Sequence, residues 1–154
     1  MITLYVDADA CPVKEEIYRV ARRCHCKVFL VANALMRHPK EDLVEMVVVS
    51  GNLDAADDWI VERVTETDIV ITTDIPLASR VIKKGARALN SKGRIFTPAS
   101  IGSAVASRDV STYLRSIGDI TSGPAPFEKK DRSLFLQSLD VLIQAILKQV
   151  RNPK

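Results

Sequence analysis

Acidic side chains in this 154-residue chain stand where they could bind a divalent metal ion. Asp7 and Asp9 follow the apolar run 2–6, and Asp74 follows another β-rich run that ends at Thr72. A third group opens a segment with helical periodicity and comprises Asp54, Asp57 and Asp58. Carboxylate oxygens are ligands that suit Mg²⁺ or Mn²⁺ better than zinc. These residue types therefore predict coordination of Mg²⁺ or Mn²⁺ by oxygen ligands.

Asp57 leans toward the side of its predicted helix that should face the core. At a step of about 100° per residue, it lies roughly 40–60° from the centre of the apolar face formed by Leu53, Ala56, Ile60 and Val64. A carboxylate in that direction is costly unless it is paired, protonated or bound to metal. The alternative is that the acids only cap the helix or complement its dipole. That alternative fits the outward-facing Asp58 better than Asp57.

Alternating strand and helix patterns would bring these acids together. Strands are predicted over 2–6, 27–31, 43–49, 68–72 and 87–89, and helices over 12–24, 53–65 and 76–84. The alternation predicts an α/β fold with a doubly wound, mainly parallel sheet of about four to five strands flanked by helices. Chemistry in such folds occurs at the carboxyl ends of the strands, near the point where the strand order reverses. The acids after the first and fourth strands fall there.

The C-terminal half adds a helical pattern over 101–116, an irregular segment with Gly and Pro over 118–130, and a final helix over 131–150. Apolar residues of the final helix span a broad arc, which predicts packing on more than one neighbour and is compatible with a homo-oligomer. The sequence has no internal repeat and no sign of a second domain. We therefore predict a single domain over 1–154, with helix 131–150 packed on it.

Composition excludes several classes of protein. With 47% hydrophobic and 27% charged residues, the chain is neither disordered nor collagen-like, and three cysteines do not make a disulfide scaffold. Cys24 and Cys26 flank His25 but lack the second ligand pair of a zinc site, so we expect reduced thiols. No apolar run approaches the roughly 18 residues of a membrane span, and no signal peptide is evident. We expect a cytoplasmic protein without a membrane partner.

Charge is distributed unevenly along the chain. Residues 1–75 hold 14 Asp and Glu against 8 Lys and Arg, whereas residues 76–154 hold 5 against 14. A functional explanation is a carboxylate cluster that holds metal, flanked by cations that bind phosphate. The other explanation is chance placement on solvated faces, and charge alone does not choose between them.

Four separated motifs resemble those of the YaiI/YqxD family of uncharacterised bacterial proteins. They are VDADACPVK at 6–14, GNLDAADDWI at 51–60, ITTDIPLA at 71–78 and GPAPFEKKDR at 123–132. The resemblance covers nearly the whole chain. That family is similar to the PIN-like superfamily, whose members are typically metal-dependent ribonucleases. The resemblance implies a PIN-like fold, Mg²⁺ or Mn²⁺ as cofactor, and a nucleic acid, RNA in particular, as partner.

The resemblance also implies roles for individual residues. The catalytic acids would be Asp7, Asp57 and Asp74. The metal ligands would include these three and also Asp9, Asp54 and Asp58. The phosphate backbone would contact Lys14, Lys129, Lys130 and Arg132. PIN domains usually carry one more acid in the intervening region, for which the candidates are Glu41, Asp42 and Glu45, or Asp9 in its place.

Two alternative functions stay open. An apolar strand followed by Asp-x-Asp also opens haloacid-dehalogenase-type phosphatases, in which Asp7 would be the nucleophile and Asp9 the general acid. Their acidic pair comes last, whereas here Asp57 and Asp58 precede Thr72, so this reading ranks lower. The other alternative is a non-catalytic PIN-like module that binds RNA or a protein partner with an idle metal site. Metal affinity discriminates between the module and the nuclease.

Overall fold

A six-stranded sheet forms the centre of the computed structural model, which describes residues 2–50, 54–102 and 127–151. Its strands are β1 (Thr3–Asp7), β2 (Lys27–Ala32), β3 (Val44–Val48), β4 (Ile69–Ile71), β5 (Arg87–Leu89) and β6 (Ile95–Phe96). The strand order is β3-β2-β1-β4-β5-β6. Neighbouring strands are parallel except for the antiparallel pair β5 and β6. The order reverses at β1, because β2 and β4 lie on its two sides.

The helices that cover the sheet are α1 (Lys14–Cys24), α2 (Ala55–Arg63), α3 (Ile75–Lys83) and α4 (Lys129–Arg151). Residues 98–102 are also helical. A short 3-10 turn, Ala8–Ala10, follows β1 and leads toward α1. α1 ends where His25 adopts a left-handed backbone with φ 55° and donates its N–H to Ala21 O. That conformation is a common way for a helix to stop.

Hydrophobic side chains form one core on each face of the sheet, because successive residues of a strand point to opposite faces. Leu4 and Val6 of β1 join the core under α1 and α4, while Tyr5 joins the core under α2 and α3. The first core includes Ile17 of α1 and Phe135 of α4, both fully buried. Both faces of the sheet are therefore covered, which confirms the predicted doubly wound, mainly parallel α/β fold.

Some predicted bounds differ from the structure. β6 was not predicted, since two residues are too few to show a strand pattern. α4 begins at Lys129 rather than at residue 131, because the Asp131 carboxylate accepts a hydrogen bond of 2.8 Å from the Glu128 N–H and stabilises an earlier start. Most of the predicted helix over 101–116 and of the irregular segment over 118–130 lies outside the described residues.

The three cysteines are free thiols, as predicted: Cys11 and Cys24 are half-buried and Cys26 is buried. Cys24 packs against the core under α1, in agreement with its place on the apolar face of that helix. In the part of the chain that the structure describes, no helix combines the length and apolar character needed to cross a bilayer.

Candidate functional site

The carboxyl ends of β1 and β4 lie side by side where the strand order reverses. Val6 pairs with Ile71 across these two strands. Asp7 and Thr72 are the next residues along them and reach the same edge of the sheet. Thr72 Oγ1 donates a hydrogen bond of 2.9 Å to Asp7 Oδ2. The predicted meeting of these two segments is thus present in the structure.

Asp74 belongs to the same chain of hydrogen bonds. Its backbone N–H donates to Thr72 Oγ1 at 2.9 Å. Its Oδ1 accepts from the Leu77 N–H, also at 2.9 Å, and so caps α3. Thr72 is buried, and its single hydroxyl links Asp7 to the turn that carries Asp74. The sequence motif contained Thr72, but no signal in it indicated that the hydroxyl would position Asp7.

Asp57 is a half-buried carboxylate in the first turn of α2. The pKa of Asp57 is raised to about 6, first by burial and then by the charges of Asp74, Asp7 and Asp54, in that order of size. The nearby Arg80 guanidinium opposes this shift of the pKa. The inward lean that the helical wheel predicted is therefore accompanied by the electrostatic cost expected of such a carboxylate.

Asp7 shows the same combination of burial and like charge. Burial is the largest cause that raises the pKa of Asp7, and the charges of Asp74 and Asp9 add to it. The hydrogen bond from Thr72 acts in the opposite direction, because it stabilises the ionised carboxylate. The structure thus brings Asp7, Asp57 and Asp74 within electrostatic range of one another, although they come from three separate elements.

The other predicted ligands lie at the margin of this cluster. Asp54 is exposed and precedes α2 without capping it through its side chain. Asp58 forms an ion pair of 3.0 Å with Arg80. Asp9 is exposed, and its Oδ2 accepts a hydrogen bond of 3.2 Å from the Asn33 N–H. Asp54 is therefore more exposed than Asp57, Asp58 is held by Arg80, and Asp9 is bound to the segment that follows β2.

The donor set suits a hard divalent cation, since it consists of oxygen ligands whose negative charges repel one another when no cation is present. Among the described residues, no three His, Cys, Asp or Glu side chains come close enough as placed to form a metal-binding group. Coordination by Asp7, Asp57 and Asp74 together would require their side chains to turn toward one another.

A small cavity lies directly beside Asp7. It has a volume of about 10 Å³ and is lined by Asp7, Cys11, Ile71, Thr72, Thr73 and Ser91. That volume is close to the space of one water molecule. Ser91 is buried and was not singled out from the sequence. Its position two residues after the end of β5 is the signal that could have identified it, since functional groups gather at the carboxyl ends of parallel strands.

The predicted phosphate-binding cations do not form one group. Lys129 is exposed, and exposed Lys130 pairs with Glu128 at 3.3 Å. Arg132 Nη1 instead donates to Glu16 Oε1 at 2.6 Å and to Pro12 O at 2.9 Å. Because Glu16 is buried, this ion pair gives Arg132 a structural role in joining α4 to α1. Lys14 is half-buried at the first turn of α1.

The candidates for a fourth acid in the intervening region have other partners. Glu41 forms an ion pair of 2.6 Å with Arg22, and Glu45 forms one of 3.4 Å with Lys27. Asp42 is exposed, and its carbonyl oxygen accepts a hydrogen bond from Lys27 Nζ. Of the acids proposed to complete the site, only Asp9 acts on the pKa of Asp7 in this structure.

Replacing Asp57 with Asn is expected to stabilise the metal-free protein at pH 8 by about 1 kcal/mol, a value reduced for solvent screening. A folded-state pKa raised to about 6 means that the carboxyl stabilises the fold at low pH and that this contribution is lost as pH rises through 6. The gain from Asp57→Asn should therefore shrink on acidification and vanish near the ordinary pKa of a carboxyl, about 4. Thermal melts between pH 4 and pH 8 in EDTA would measure it.

Asp58→Asn is the matched control for that experiment. It removes a neighbouring charge of the same helical turn that is paired with Arg80 and half exposed. We expect no stabilisation from it at either pH. A gain from Asp57→Asn that persists unchanged at pH 4 would contradict the electrostatic origin.

Sequence comparison identifies the family of this chain. A profile of the YaiI/YqxD family, described as uncharacterised, matches residues 5–145. The chain belongs to this family. All the predicted site residues, from Asp7 to Arg132, lie within the matched range.

Curated relatives extend along almost the full chain. A UPF0178 protein of Rhodospirillum centenum is 54% identical over 150 residues, which are 95% of this chain and 97% of the relative. A UPF0178 protein of Brucella ovis is 55% identical over 143 residues, 92% of this chain and 89% of the relative. One from Rhodopseudomonas palustris is 52% identical over 150 residues, 97% and 95% of the two chains. No solved structure matches the chain significantly.

Proposed function

We propose that this protein is a metal-dependent nuclease of the PIN-like type that hydrolyses phosphodiester bonds, in RNA in particular. The observation that carries the proposal is that Asp7, Asp57 and Asp74 lie within electrostatic range of one another near the carboxyl ends of β1 and β4, where burial and mutual repulsion raise the pKa of Asp7 and Asp57. Carboxylates whose pKa is raised by burial and like charge at the carboxyl edge of an α/β sheet favour a functional site over a purely structural cluster.

The three carboxylates would hold one or two Mg²⁺ or Mn²⁺ ions, with Asp9 and Asp54 as further oxygen ligands at the margin. A bound ion of this kind supplies a water of lowered pKa and offsets negative charge at the phosphate. Thr72 would act as a positioning residue, because its hydroxyl donates a hydrogen bond to one oxygen of Asp7. Asp74 would be held in place by its bond to the Leu77 N–H.

The direct test is cleavage of an end-labelled single-stranded RNA by the full-length protein with Mn²⁺, Mg²⁺ or EDTA, beside a DNA of the same sequence. We expect RNA fragments with either metal and intact RNA in EDTA. Cleavage that continues in EDTA would contradict a metal-dependent mechanism. Intact RNA under every condition, combined with RNA binding, would instead support the non-catalytic binding module.

The module is a specific second candidate because the carboxylate side chains do not converge as placed. Isothermal titration of Mn²⁺ into the metal-free protein separates the two functions. A nuclease site should bind Mn²⁺ and lose that binding in Asp74→Asn, whereas an idle site should give no heat of binding with either protein.

A further inference from the structure

A groove lies between the first turn of α1 and the segment that leaves β2. It has a volume of about 440 Å³ and is lined by Lys14, Glu15, Tyr18, Arg37, His38 and Pro39. We call it the α1 groove. An adjoining groove of about 480 Å³ shares Arg37 and His38 with it and adds Lys40. The two form one continuous depression on the surface.

Positive charge dominates this depression. Lys14, Arg37 and Lys40 contribute three cations, against the single carboxylate of Glu15. Within the described ranges, none of the three cations forms an ion pair. By contrast, nearby Arg22 pairs with Glu41. Cations that gather without a counter-charge repel one another, and an anion in the groove would relieve that repulsion.

Two groups without a formal charge also favour the binding of an anion in the groove. The Tyr18 side chain lines the groove and is 2% exposed, and its hydroxyl has no hydrogen-bond partner among the described residues. The residue before α1, Val13, provides no side-chain cap for the N–H groups of the first turn. The N-terminal end of a helix attracts negative charge, and free N–H groups there are donors for oxygen anions.

The groove lies on the same edge of the sheet as the carboxylates. The chain from β1 leads through Asp7 and the 3-10 turn directly to Lys14. The segment 33–40 starts at the carboxyl end of β2, where the Asn33 N–H is bound to Asp9. A strand of nucleic acid that extends from Asp7 past Asp9 would therefore reach the groove.

We propose that the α1 groove binds a backbone phosphate of a single-stranded nucleic acid, with Lys14 and Arg37 as its charged contacts. This inference rests on the proposed function, since it takes the chain bound at the groove to be the one that reaches the carboxylates. It assigns phosphate contact to Arg37, which the sequence analysis had not singled out. Of the lysines predicted to contact phosphate, Lys14 lines this groove, whereas Lys129 and Lys130 do not.

The test is fluorescence anisotropy with a labelled single-stranded RNA, and with a DNA of the same sequence, in EDTA over a range of salt concentrations. We expect the double variant Lys14→Gln/Arg37→Gln to bind RNA at least about 10-fold more weakly than the wild type. The slope of log affinity against log salt should fall by about 1.4, since each phosphate contact to a single strand contributes about 0.7. An equal loss on DNA would also support contact with the backbone.

Two controls keep the result interpretable. Lys83→Gln/Lys148→Gln removes the same charge from exposed positions outside the groove and should bind like the wild type. Lys14→Arg/Arg37→Lys keeps both charges and should retain binding, and a thermal melt of the Gln double variant that matches the wild type excludes a folding defect. Wild-type affinity and slope in the Gln double variant, or no binding of either probe by the wild type, would overturn the proposal. Because EDTA prevents metal-dependent cleavage, absence of nuclease activity leaves this result unaffected.

Discussion

Replacing Asp7 with Asn is expected to lower Mn²⁺-dependent RNA cleavage by about 1,000-fold, which corresponds to roughly 4 kcal/mol of transition-state stabilisation. Asn has nearly the shape of Asp, and its amide oxygen can still accept the hydrogen bond from Thr72 Oγ1. The substitution removes the negative charge that a divalent ion requires. It also relieves repulsion with Asp74 and Asp9, so the metal-free variant should be no less stable than the wild type.

Single-turnover cleavage, with thermal melts of each protein in EDTA and in Mn²⁺, would measure both consequences. The wild type should melt higher when Mn²⁺ is present, because an ion that binds only the folded state stabilises it. Asp7→Asn should lose that increase together with activity. Asp140→Asn is the matched control, since it removes a half-exposed carboxylate on α4 that pairs with Arg23. Wild-type cleavage by Asp7→Asn would exclude Asp7 from the catalytic site.

Replacing Gly93 with Ala is expected to destabilise the protein by about 3 kcal/mol or more, through left-handed backbone strain together with overpacking. Gly93 has φ +88° in the turn between β5 and β6, and a Cβ there would lie 2.6 Å from Leu134 C and 2.7 Å from Leu134 O. Those atoms belong to the backbone of α4 and have little freedom to move. Ser138 Oγ also donates to Gly93 O at 2.6 Å, which holds the turn against the helix.

Alanine substitutions at two other glycines distinguish backbone strain from overpacking when stability is measured by thermal or urea unfolding. Gly85 has φ +91°, but a Cβ there would meet only Glu66 Cβ at 3.5 Å and Glu66 Cα at 4.0 Å, so Gly85→Ala should cost about 1–2 kcal/mol from strain. A Cβ on Gly102 would have no described atom within 4 Å, and Gly102→Ala should be neutral or slightly stabilising. Equal effects at Gly93 and Gly85 would show that the close approach to α4 contributes nothing.

Local patterns in the sequence were sufficient to predict the fold class and the place of the acids. Alternation and helical periodicity are properties of neighbouring residues, and they indicated β1, β4 and the inward lean of Asp57 before any contact was known. An Asp that follows an apolar strand must also lie near the carboxyl end of that strand. For this reason Asp7 and Asp74 were placed at one edge of the sheet from the sequence.

Contacts between distant parts of the chain could not be predicted in the same way. Arg132 was predicted from the sequence to contact phosphate, but in the structure it pairs with Glu16, 116 positions away. The bond of Thr72 to Asp7 and the gathering of cations in the α1 groove depend likewise on the packing of separate elements. Periodicity specifies the direction of a side chain relative to its own helix or strand, whereas its partner is determined by which elements the folded chain brings against it.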